Sequence, residues 1–432
     1  MSTRSLDPNV APALSRRSIL IGAVAGAMTP GMAAAAGTSS VTQAPESDAI
    51  HQRQRFHGTH QPGIVTPRPA AGLVASFDVL ARDRAGLEKL LRTLTQRTAF
   101  LMEGGTPPEL DPKFPPADSG ILGPEVTPDN VTITTSFGAS LFDERFGLQT
   151  LRPRHLSRMS AFRNDALQAE LCHGDLLVQI CSNTPDTNIH ALRDIIKNTP
   201  DLLMLRWKQE GSVPVQQPHP GRPKESARNF LGFRDGSANP DSADTGEMNR
   251  IVWVQPGGDE PAWAAGGSYQ AVRLIRNFVE RWDRTPLQQQ EKIIGRKKAS
   301  GAPFDGQAET DLPRYASDPK GQLTPLDAHI RLANARDAEA RKHLILRRPF
   351  NYSNGVSKSG QLDMGLLFIA YQADLEQGFI AVQNRLSGEA LEEYIKPFGG
   401  GYFFVPPGVR DANDYLGRPL LEAASGSTSP HT

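Results

Sequence analysis

Alternating strand-like and helix-like segments in the first half of the chain limit its possible folds more than any other feature. We predict an amphipathic helix at residues 86–101 and a second helix at 189–198. Strands are predicted at residues 73–80, 131–137, 175–181 and 202–209. The resulting β-α-β-β-α-β order is typical of a ferredoxin-like unit.

A second set of segments follows the glycine-rich turn at residues 232–239. Helices are predicted at residues 287–298 and 378–386, and strands at residues 250–254, 268–278, 343–349 and 365–375. The 432 residues leave room for two domains and a leader. We therefore predict an α+β protein with duplicated ferredoxin-like domains, although no sequence repeat is detectable. The predicted divisions are a leader and linker at 1–40, domains at 50–225 and 226–422, and a flexible tail at 423–432.

The composition excludes several classes of protein. Hydrophobic residues make up 38% of the chain and charged residues 22%, which is typical of a globular protein. Lysine plus arginine and aspartate plus glutamate both number 47, so no charge excess favours a nucleic-acid partner. The two cysteines, Cys172 and Cys181, are too few for a disulfide framework or a cysteine-rich metal site, although one disulfide remains compatible.

The N-terminus carries a pattern typical of a twin-arginine export signal. Arg16 and Arg17 are followed by Ile19 and Leu20, then by a weakly apolar stretch and the small-residue run 33–36. A membrane anchor is the alternative, but it needs about 20 firmly apolar residues. This stretch is diluted by Gly22, Gly26, Thr29, Pro30 and Gly31. We therefore predict export by the twin-arginine machinery to the periplasm or the exterior, a route that carries folded proteins and suits one with a buried cofactor.

Asp235 lies between glycines in the segment Gly-Phe-Arg-Asp-Gly at residues 232–236. Glycines allow a sharp turn and a close approach of the backbone to a flat ligand, so this carboxylate is a candidate site residue. The alternative is an aspartate that caps its own turn, which is the commoner role of an isolated Asp-Gly pair.

His329 is the candidate metal ligand, within a polar stretch that continues to Arg336. A lone histidine is more often structural. His57 and His60 also have a spacing that suits a metal, but no third ligand lies nearby to complete a zinc site. We leave open whether that pair is structural or lines a cofactor pocket.

Arg347 follows three apolar residues on a predicted strand. A buried arginine must meet an anion or another acceptor, because leaving it unpaired would cost several kcal/mol. A structural salt bridge and a functional cation both satisfy that requirement.

Together, these three positions could supply the side chains that a haem peroxidase needs. An imidazole binds the iron from one side, while a base and a cation on the other side cleave the peroxide O–O bond heterolytically. His329 suits the first role, Asp235 the second and Arg347 the third.

These residues lie in segments that resemble the dye-decolorising peroxidases, and in particular their exported EfeB-like subgroup. The motif at residues 232–236 is typical of that family. The resemblance covers nearly the whole chain after the leader. Its other segments are at residues 56–63, 329–336, 346–348, 359–365, 388–394 and 399–404.

The resemblance implies a dimeric α+β barrel type of fold, with one haem b per chain held in the C-terminal domain. It implies that His329 is the iron ligand, Asp235 the distal acid–base residue and Arg347 the distal cation. Contacts to the porphyrin are implied for Gly236, Ser237, Ala238, Asn334, Ala335 and Arg336. Within that set Arg336 can pair with a propionate. A histidine that binds a metal usually donates its other N–H to an acceptor, for which Glu389 is our candidate.

The activity implied is reduction of hydrogen peroxide with oxidation of organic donors such as dyes, phenolics and porphyrinogens. The subgroup also implies release of iron from haem, a deferrochelatase activity linked to iron-uptake components, and the family suggests a homodimer. An exported haem carrier without catalysis is the alternative. A chlorite-dismutase-like activity is disfavoured, because that family shares the fold plan but lacks the distal aspartate.

Overall fold

The computed structural model describes residues 49–214 and 225–426. The predicted export signal and most of the predicted tail lie outside these residues. Within the described part of the chain, no helix combines the length and apolarity needed to cross a bilayer.

The first half forms the predicted β-α-β-β-α-β unit. Its strands are β1 (Ala71–Val79), β2 (Thr132–Gly138), β3 (Leu176–Ser182) and β4 (Leu203–Ser212). Helix α1 (Arg84–Glu103) follows β1, and α2 (Pro185–Asn198) follows β3. The strands are antiparallel and lie in the order β2-β3-β1-β4. This is the ferredoxin-like arrangement that the sequence predicts.

The second half repeats this plan with additional short helices. Its strands are β5 (Ser268–Asn277), β6 (Leu346–Arg347), β7 (Phe350–Val356), β8 (Leu362–Gln372) and β9 (Ile395–Val405). Its helices are α3 (Thr245–Ile251), α4 (Val279–Trp282), α5 (Leu287–Ile294), α6 (His329–Ala333), α7 (Ala381–Arg385) and α8 (Arg418–Gly426). A π-helical turn at Glu376–Ile380 leads into α7. The main strands lie in the order β9-β5-β8-β7, which confirms the duplicated α+β fold.

Several predicted elements of the second half were wrong in detail. Residues 250–254 are not a strand: they include the end of α3 and the turn after it, and α3 begins where Asp244 accepts a hydrogen bond from the Glu247 N–H. Such a short apolar run does not distinguish a strand from a helix end. The strand predicted at 343–349 shrinks to the two residues of β6.

Strands β7 and β9 were missed. Strand β9 contains Pro397 and three consecutive glycines, which normally indicate a loop. A bulge opposite Leu274 and Ile275 accommodates the proline. A Cβ added at Gly400 would lie 2.0 Å from the Val272 carbonyl oxygen, so this close strand pairing requires a glycine.

The two halves join edge to edge into a closed barrel of eight strands. Strand β2 pairs with β9 through Phe137 and Phe404, and β4 pairs with β7 through Ser212 and Asn351. Both joins are short, with two residue pairs between β2 and β9 and one between β4 and β7. Inside, the Tyr371 hydroxyl donates to Gln179 at 2.7 Å, and Gln270 donates to the Tyr371 hydroxyl at 3.0 Å. Helices α1 and α2 pack against the outer face of the first sheet. Met248 and Ile251 of α3 instead pack with the residues inside the barrel.

Candidate active site

The loop that carries Asp235 is held by a neighbouring arginine and by its glycines. The Arg228 guanidinium donates to the carbonyls of Gly232 at 2.7 Å and Lys298 at 2.6 Å. Gly232 has a φ of +83°, a conformation that favours glycine. The Asp235 N–H donates to the Ala227 carbonyl at 2.9 Å. The backbone around the carboxylate is therefore fixed by contacts outside its own turn.

One aromatic cluster supports three elements of the site. Phe233 packs edge-on against Trp282, and the Trp282 indole N–H donates to the Leu231 carbonyl at 2.8 Å. The same cluster includes Leu391, two residues after Glu389, and contacts Ile330, the residue after His329. Packing of this cluster therefore positions the Asp235 loop, the His329 helix and the Glu389 turn together.

Asp235 and Arg347 form a direct ion pair, with 2.7 Å between Asp235 Oδ1 and Arg347 Nη1. The second carboxylate oxygen, Asp235 Oδ2, is buried and has no hydrogen-bond partner among the described residues. Arg347 lies on β6 opposite Ala370 of β8, so its side chain lies on the outer face of the barrel. The pair therefore keeps one carboxylate oxygen available for a ligand.

Asn239 fixes the backbone of Arg347. Its side-chain Nδ2 donates to the Arg347 carbonyl at 3.0 Å, and the Arg347 N–H donates to Asn239 Oδ1 at 2.8 Å. The amide thus links the Asp235 loop to β6 across 108 positions of sequence. No feature of the sequence assigned this role to Asn239.

His329 and Glu389 form a second pair, with 2.7 Å between His329 Nδ1 and Glu389 Oε2. The hydrogen bond expected between these two residues is therefore present. The Glu389 side chain is only 4% exposed. An ionised carboxylate accepts only, so Nδ1 carries the proton and donates it. This fixes the tautomer and leaves Nε2 as the nitrogen with a lone pair for a metal.

Charges from both pairs act on the imidazole. Burial acts to lower the pKa of His329, but the Glu389 carboxylate outweighs this effect and the pKa is raised above its usual value. The charges of Arg347 and Asp235 also contribute to the pKa of His329. The structure therefore brings together all three predicted residues, and Glu389 with them.

Arg336 has an incompletely paired guanidinium. Its Nε and Nη2 atoms are buried and have no hydrogen-bond partner among the described residues. Burial lowers its pKa, and its φ of +62° is unusual for a residue with a side chain. Asn334 Oδ1 accepts a hydrogen bond from the Arg336 N–H at 3.0 Å, which supports that backbone conformation. A half-buried cation that has no anionic partner among the described residues is suited to a negatively charged ligand group.

The remaining predicted contact residues lie on the same two segments. A Cβ added at Gly236 would lie 2.6 Å from Ser226 Oγ, so the loop packs closely there. The Ser237 hydroxyl donates to Glu309 at 3.0 Å. Ala238 is half-buried and Ala335 is exposed.

Arg68, from the first half of the chain, is a neighbour of the site that the sequence did not suggest. Its guanidinium donates to the Pro349 carbonyl. Burial lowers its pKa, Asp235 acts to raise it, and Arg348 and Arg347 act to lower it. An arginine between two prolines gives no signal in sequence, because only the barrel closure brings it to the segment between β6 and β7.

The His57 and His60 pair is better explained by a structural role. The His60 ring stacks on Trp253 at 3.7 Å between centroids, and its Nδ1 lies 2.7 Å from the Gly266 carbonyl oxygen. In the described part of the chain, no group of three or more His, Cys, Asp or Glu residues could hold a metal ion. Cys172 and Cys181 are both buried and free, so they do not form a disulfide with each other.

Comparison with known proteins identifies the family. A family model described as "Dyp-type peroxidase, N-terminal" matches residues 61–212, and one described as "Dyp-type peroxidase, C-terminal" matches residues 226–410. A protein of Shigella flexneri serotype 5b (strain 8401) named Deferrochelatase is 58% identical over 96% of this chain and 99% of its own length. The protein of that name from Escherichia coli (strain K12) is 57% identical with the same coverage.

Solved structures agree with these matches. DtpA from Streptomyces lividans has a TM-score of 0.77 and 34% identity, covering 87% of this chain and 99% of its own. A DyP-type peroxidase from Cellulomonas bogoriensis has a TM-score of 0.76 and 33% identity with the same coverage. The chain therefore belongs to the Dyp-type peroxidase family.

Proposed function

We propose that the protein is a haem b-dependent peroxidase that reduces hydrogen peroxide and oxidises organic donors such as dyes, phenolics and porphyrinogens. One observation carries this proposal: an imidazole backed by a buried carboxylate is electrostatically coupled to an aspartate–arginine pair that has a free carboxylate oxygen. One haem would lie in the second half of the chain, between His329 and Asp235.

The residues present fit a haem. The Glu389 hydrogen bond leaves His329 Nε2 available to bind iron. The unpartnered nitrogens of Arg336 suit a propionate, and Gly236, Ser237, Ala238, Asn334 and Ala335 would contact the porphyrin. When bound, the haem would supply a redox-active iron with an open position for peroxide.

Asp235 would move the proton. Its Oδ2 atom accepts a proton from one oxygen of hydrogen peroxide and returns it to the departing oxygen, which leaves as water. Because Oδ1 is held by Arg347, the carboxylate keeps Oδ2 directed away from the arginine. The hydrogen bonds from the loop backbone hold the group in place while the proton moves.

Arg347 would stabilise the negative charge that develops on the departing oxygen as the O–O bond breaks. Asn239 binds both the N–H and the carbonyl of Arg347, so the cation is positioned before the reaction. A donor that is already in place stabilises charge without reorganising during the reaction.

The test compares Asp235→Asn and Arg347→Leu with Asp327→Asn, an exposed carboxylate two residues before His329. We expect turnover of hydrogen peroxide to fall by roughly 10²- to 10⁴-fold in the first two variants. Turnover should not change in Asp327→Asn. Haem content, measured by absorbance, should stay at one per chain in all three. A non-catalytic haem carrier would instead show the same low peroxide consumption in every variant and in the wild type.

A second candidate activity is removal of iron from haem with the porphyrin left intact. It is favoured by the 57–58% identity to proteins named Deferrochelatase over nearly the whole chain. Incubation with haem and a reductant should then produce the fluorescence of metal-free porphyrin. Absence of that fluorescence with several reductants would count against this activity and would leave the peroxidase proposal intact.

We also propose export by the twin-arginine machinery to the periplasm or the exterior, supported by Arg16 and Arg17. A reporter fused after residue 40 should be exported. In an Arg16→Lys, Arg17→Lys double variant, the reporter should stay in the cytoplasm. We further propose that the protein associates with iron-uptake components and forms a homodimer. Light scattering of the purified protein tests the homodimer.

A further inference from the structure

A cavity with a volume of about 390 Å³ lies at one end of the first sheet, away from the candidate active site. At this end of the sheet, β1 and β2 finish and β3 and β4 begin. Its volume falls within the range of roughly 300 to 1,000 Å³ typical of small-molecule pockets. None of the residues around it belongs to the candidate active site.

The cavity has unneutralised positive charge at its mouth. Arg152, Arg158 and Arg206 line it, together with Asp78 and Asp175. Asp78 lies 3.4 Å from Arg206, and Asp175 lies 3.0 Å from Arg145, which is outside the lining. Arg152 and Arg158 are exposed, and neither has a carboxylate within 4.0 Å in residues 49–214 and 225–426. Two guanidinium groups therefore remain available to an anion.

Tyr402 lines the cavity, and its hydroxyl group is buried without a hydrogen-bond partner among the described residues. The residue as a whole is 3% exposed. A hydroxyl buried in this way costs about 1–3 kcal/mol. A ligand oxygen that reaches this hydroxyl would relieve that cost.

Tyr402 also shows how far the cavity is from Arg347. Tyr402 pairs with Ala271, Ala271 with Ala370, and Ala370 with Arg347, so Tyr402 and Arg347 share one outer face. Three strand spacings separate them, about 14 Å. The cavity is therefore a separate place on the same sheet.

His173, on the cavity wall, has a strained backbone that its neighbours stabilise. Its φ is +60°. Its N–H donates to the Gly400 carbonyl at 2.8 Å, and its carbonyl accepts from Ser76 Oγ at 2.6 Å and Trp207 Nε1 at 2.8 Å. Strained residues held in this way concentrate at functional sites. Burial, with the charges of Arg158 and Arg206, lowers the pKa of His173 to about 4, so the imidazole is neutral at pH 7.

We propose that this cavity is a binding site for a small organic carboxylate. Arginines recognise carboxylates through paired N–H groups, and Tyr402 offers one further donor. The volume is much larger than a simple ion needs, and the Tyr402 ring and Ala139 provide apolar wall for an organic body. A phosphate dianion fits less well, because Asp78 and Asp175 oppose a second negative charge.

Calorimetric titration of the full-length protein with benzoate tests the proposal. We expect one benzoate per chain, and at least about tenfold weaker binding of benzamide and of inorganic phosphate. Arg152→Ala and Arg158→Ala should each weaken benzoate binding about tenfold or more, and Tyr402→Phe should weaken it several-fold. Arg193→Ala, which removes an exposed arginine of α2, is the matched control and should bind as the wild type does.

Two further results distinguish this cavity from the candidate active site. His329→Ala should bind benzoate normally, because His329 is not part of the cavity. The proposal is overturned if the wild type binds no benzoate, if Arg152→Ala and Arg158→Ala bind it unchanged, or if binding is lost in His329→Ala. Phosphate binding as tight as that of benzoate would also overturn it.

Discussion

Replacing Glu389 by glutamine should weaken haem binding without disturbing the fold. Glu389 is 4% exposed and lies 2.7 Å from His329 Nδ1, so solvent screens the interaction little. A hydrogen bond to a charged group contributes about 1.5–3 kcal/mol, and a neutral one about 0.5–1.5 kcal/mol. Glutamine can still accept from Nδ1, so the loss is the difference, about 1–1.5 kcal/mol. We therefore expect roughly tenfold weaker haem binding, at the lower end of the range for such partners.

The assay is titration of haem-free protein with haem, followed by the Soret absorbance. Glu393→Gln is the matched control, because Glu393 lies in the same turn, is 62% exposed and has Arg281 only at 3.9 Å. This variant should bind haem as the wild type does. The iron in Glu389→Gln should also be reduced at a higher potential, because a neutral partner makes the imidazole a weaker donor. Equal haem affinity of Glu389→Gln and the wild type, or an equal loss in the control, would refute this reasoning.

Asn239→Ala should lower the free energy of unfolding by about 1–3 kcal/mol in urea titrations and should slow peroxide turnover, because both backbone hydrogen bonds to Arg347 are lost. Unchanged unfolding would contradict this. Arg336→Leu should stabilise the haem-free protein by about 1 kcal/mol while weakening haem binding, because it removes a buried cation whose Nε and Nη2 have no described partner; effects of the same sign would contradict the assignment. The folded-state pKa of His173 is about 4, below the unfolded value of about 6.5, so the folded state binds this proton less readily. The contribution of His173 to the free energy of unfolding is therefore fully present above pH 6.5 and is lost as the pH falls towards 4. We compare how far the free energy of unfolding decreases between pH 7 and pH 4 in the two proteins. Allowing for solvent screening, this decrease should be about 1–2 kcal/mol smaller in His173→Gln than in the wild type. Parallel curves of unfolding free energy against pH would contradict this.

Local patterns predicted the first half of the fold well, because its strands and helices carry regular apolar patterns and are separated by turns. Strand β9 could not be predicted in this way, because its close pairing with β5 requires the glycines that normally indicate a loop. The prediction of a strand at residues 250–254 was wrong for another reason. Five successive apolar or basic residues show no periodicity that would distinguish a strand from the end of a helix.

The candidate site likewise contains some residues that the sequence could suggest and others that only the fold reveals. Asp235, His329 and Arg347 could be proposed from their local sequence and from the resemblance of their segments to the family. Their partners are determined by tertiary contacts: Asn239 binds a residue 108 positions away, and Arg68 reaches Pro349, between β6 and β7, only because the two sheets close into a barrel. The 390 Å³ cavity has no signal in the sequence, because its arginines come from a loop and from β4.

The central claim is that His329 holds the iron while Asp235 and Arg347 lie on its other side. The most direct test is the absorption spectrum of haem-loaded His329→Ala, recorded with and without added imidazole. We predict that the variant loses the wild-type Soret band and that imidazole restores it, because the small ligand can occupy the space left by the side chain. A wild-type spectrum in His329→Ala without imidazole would contradict the account.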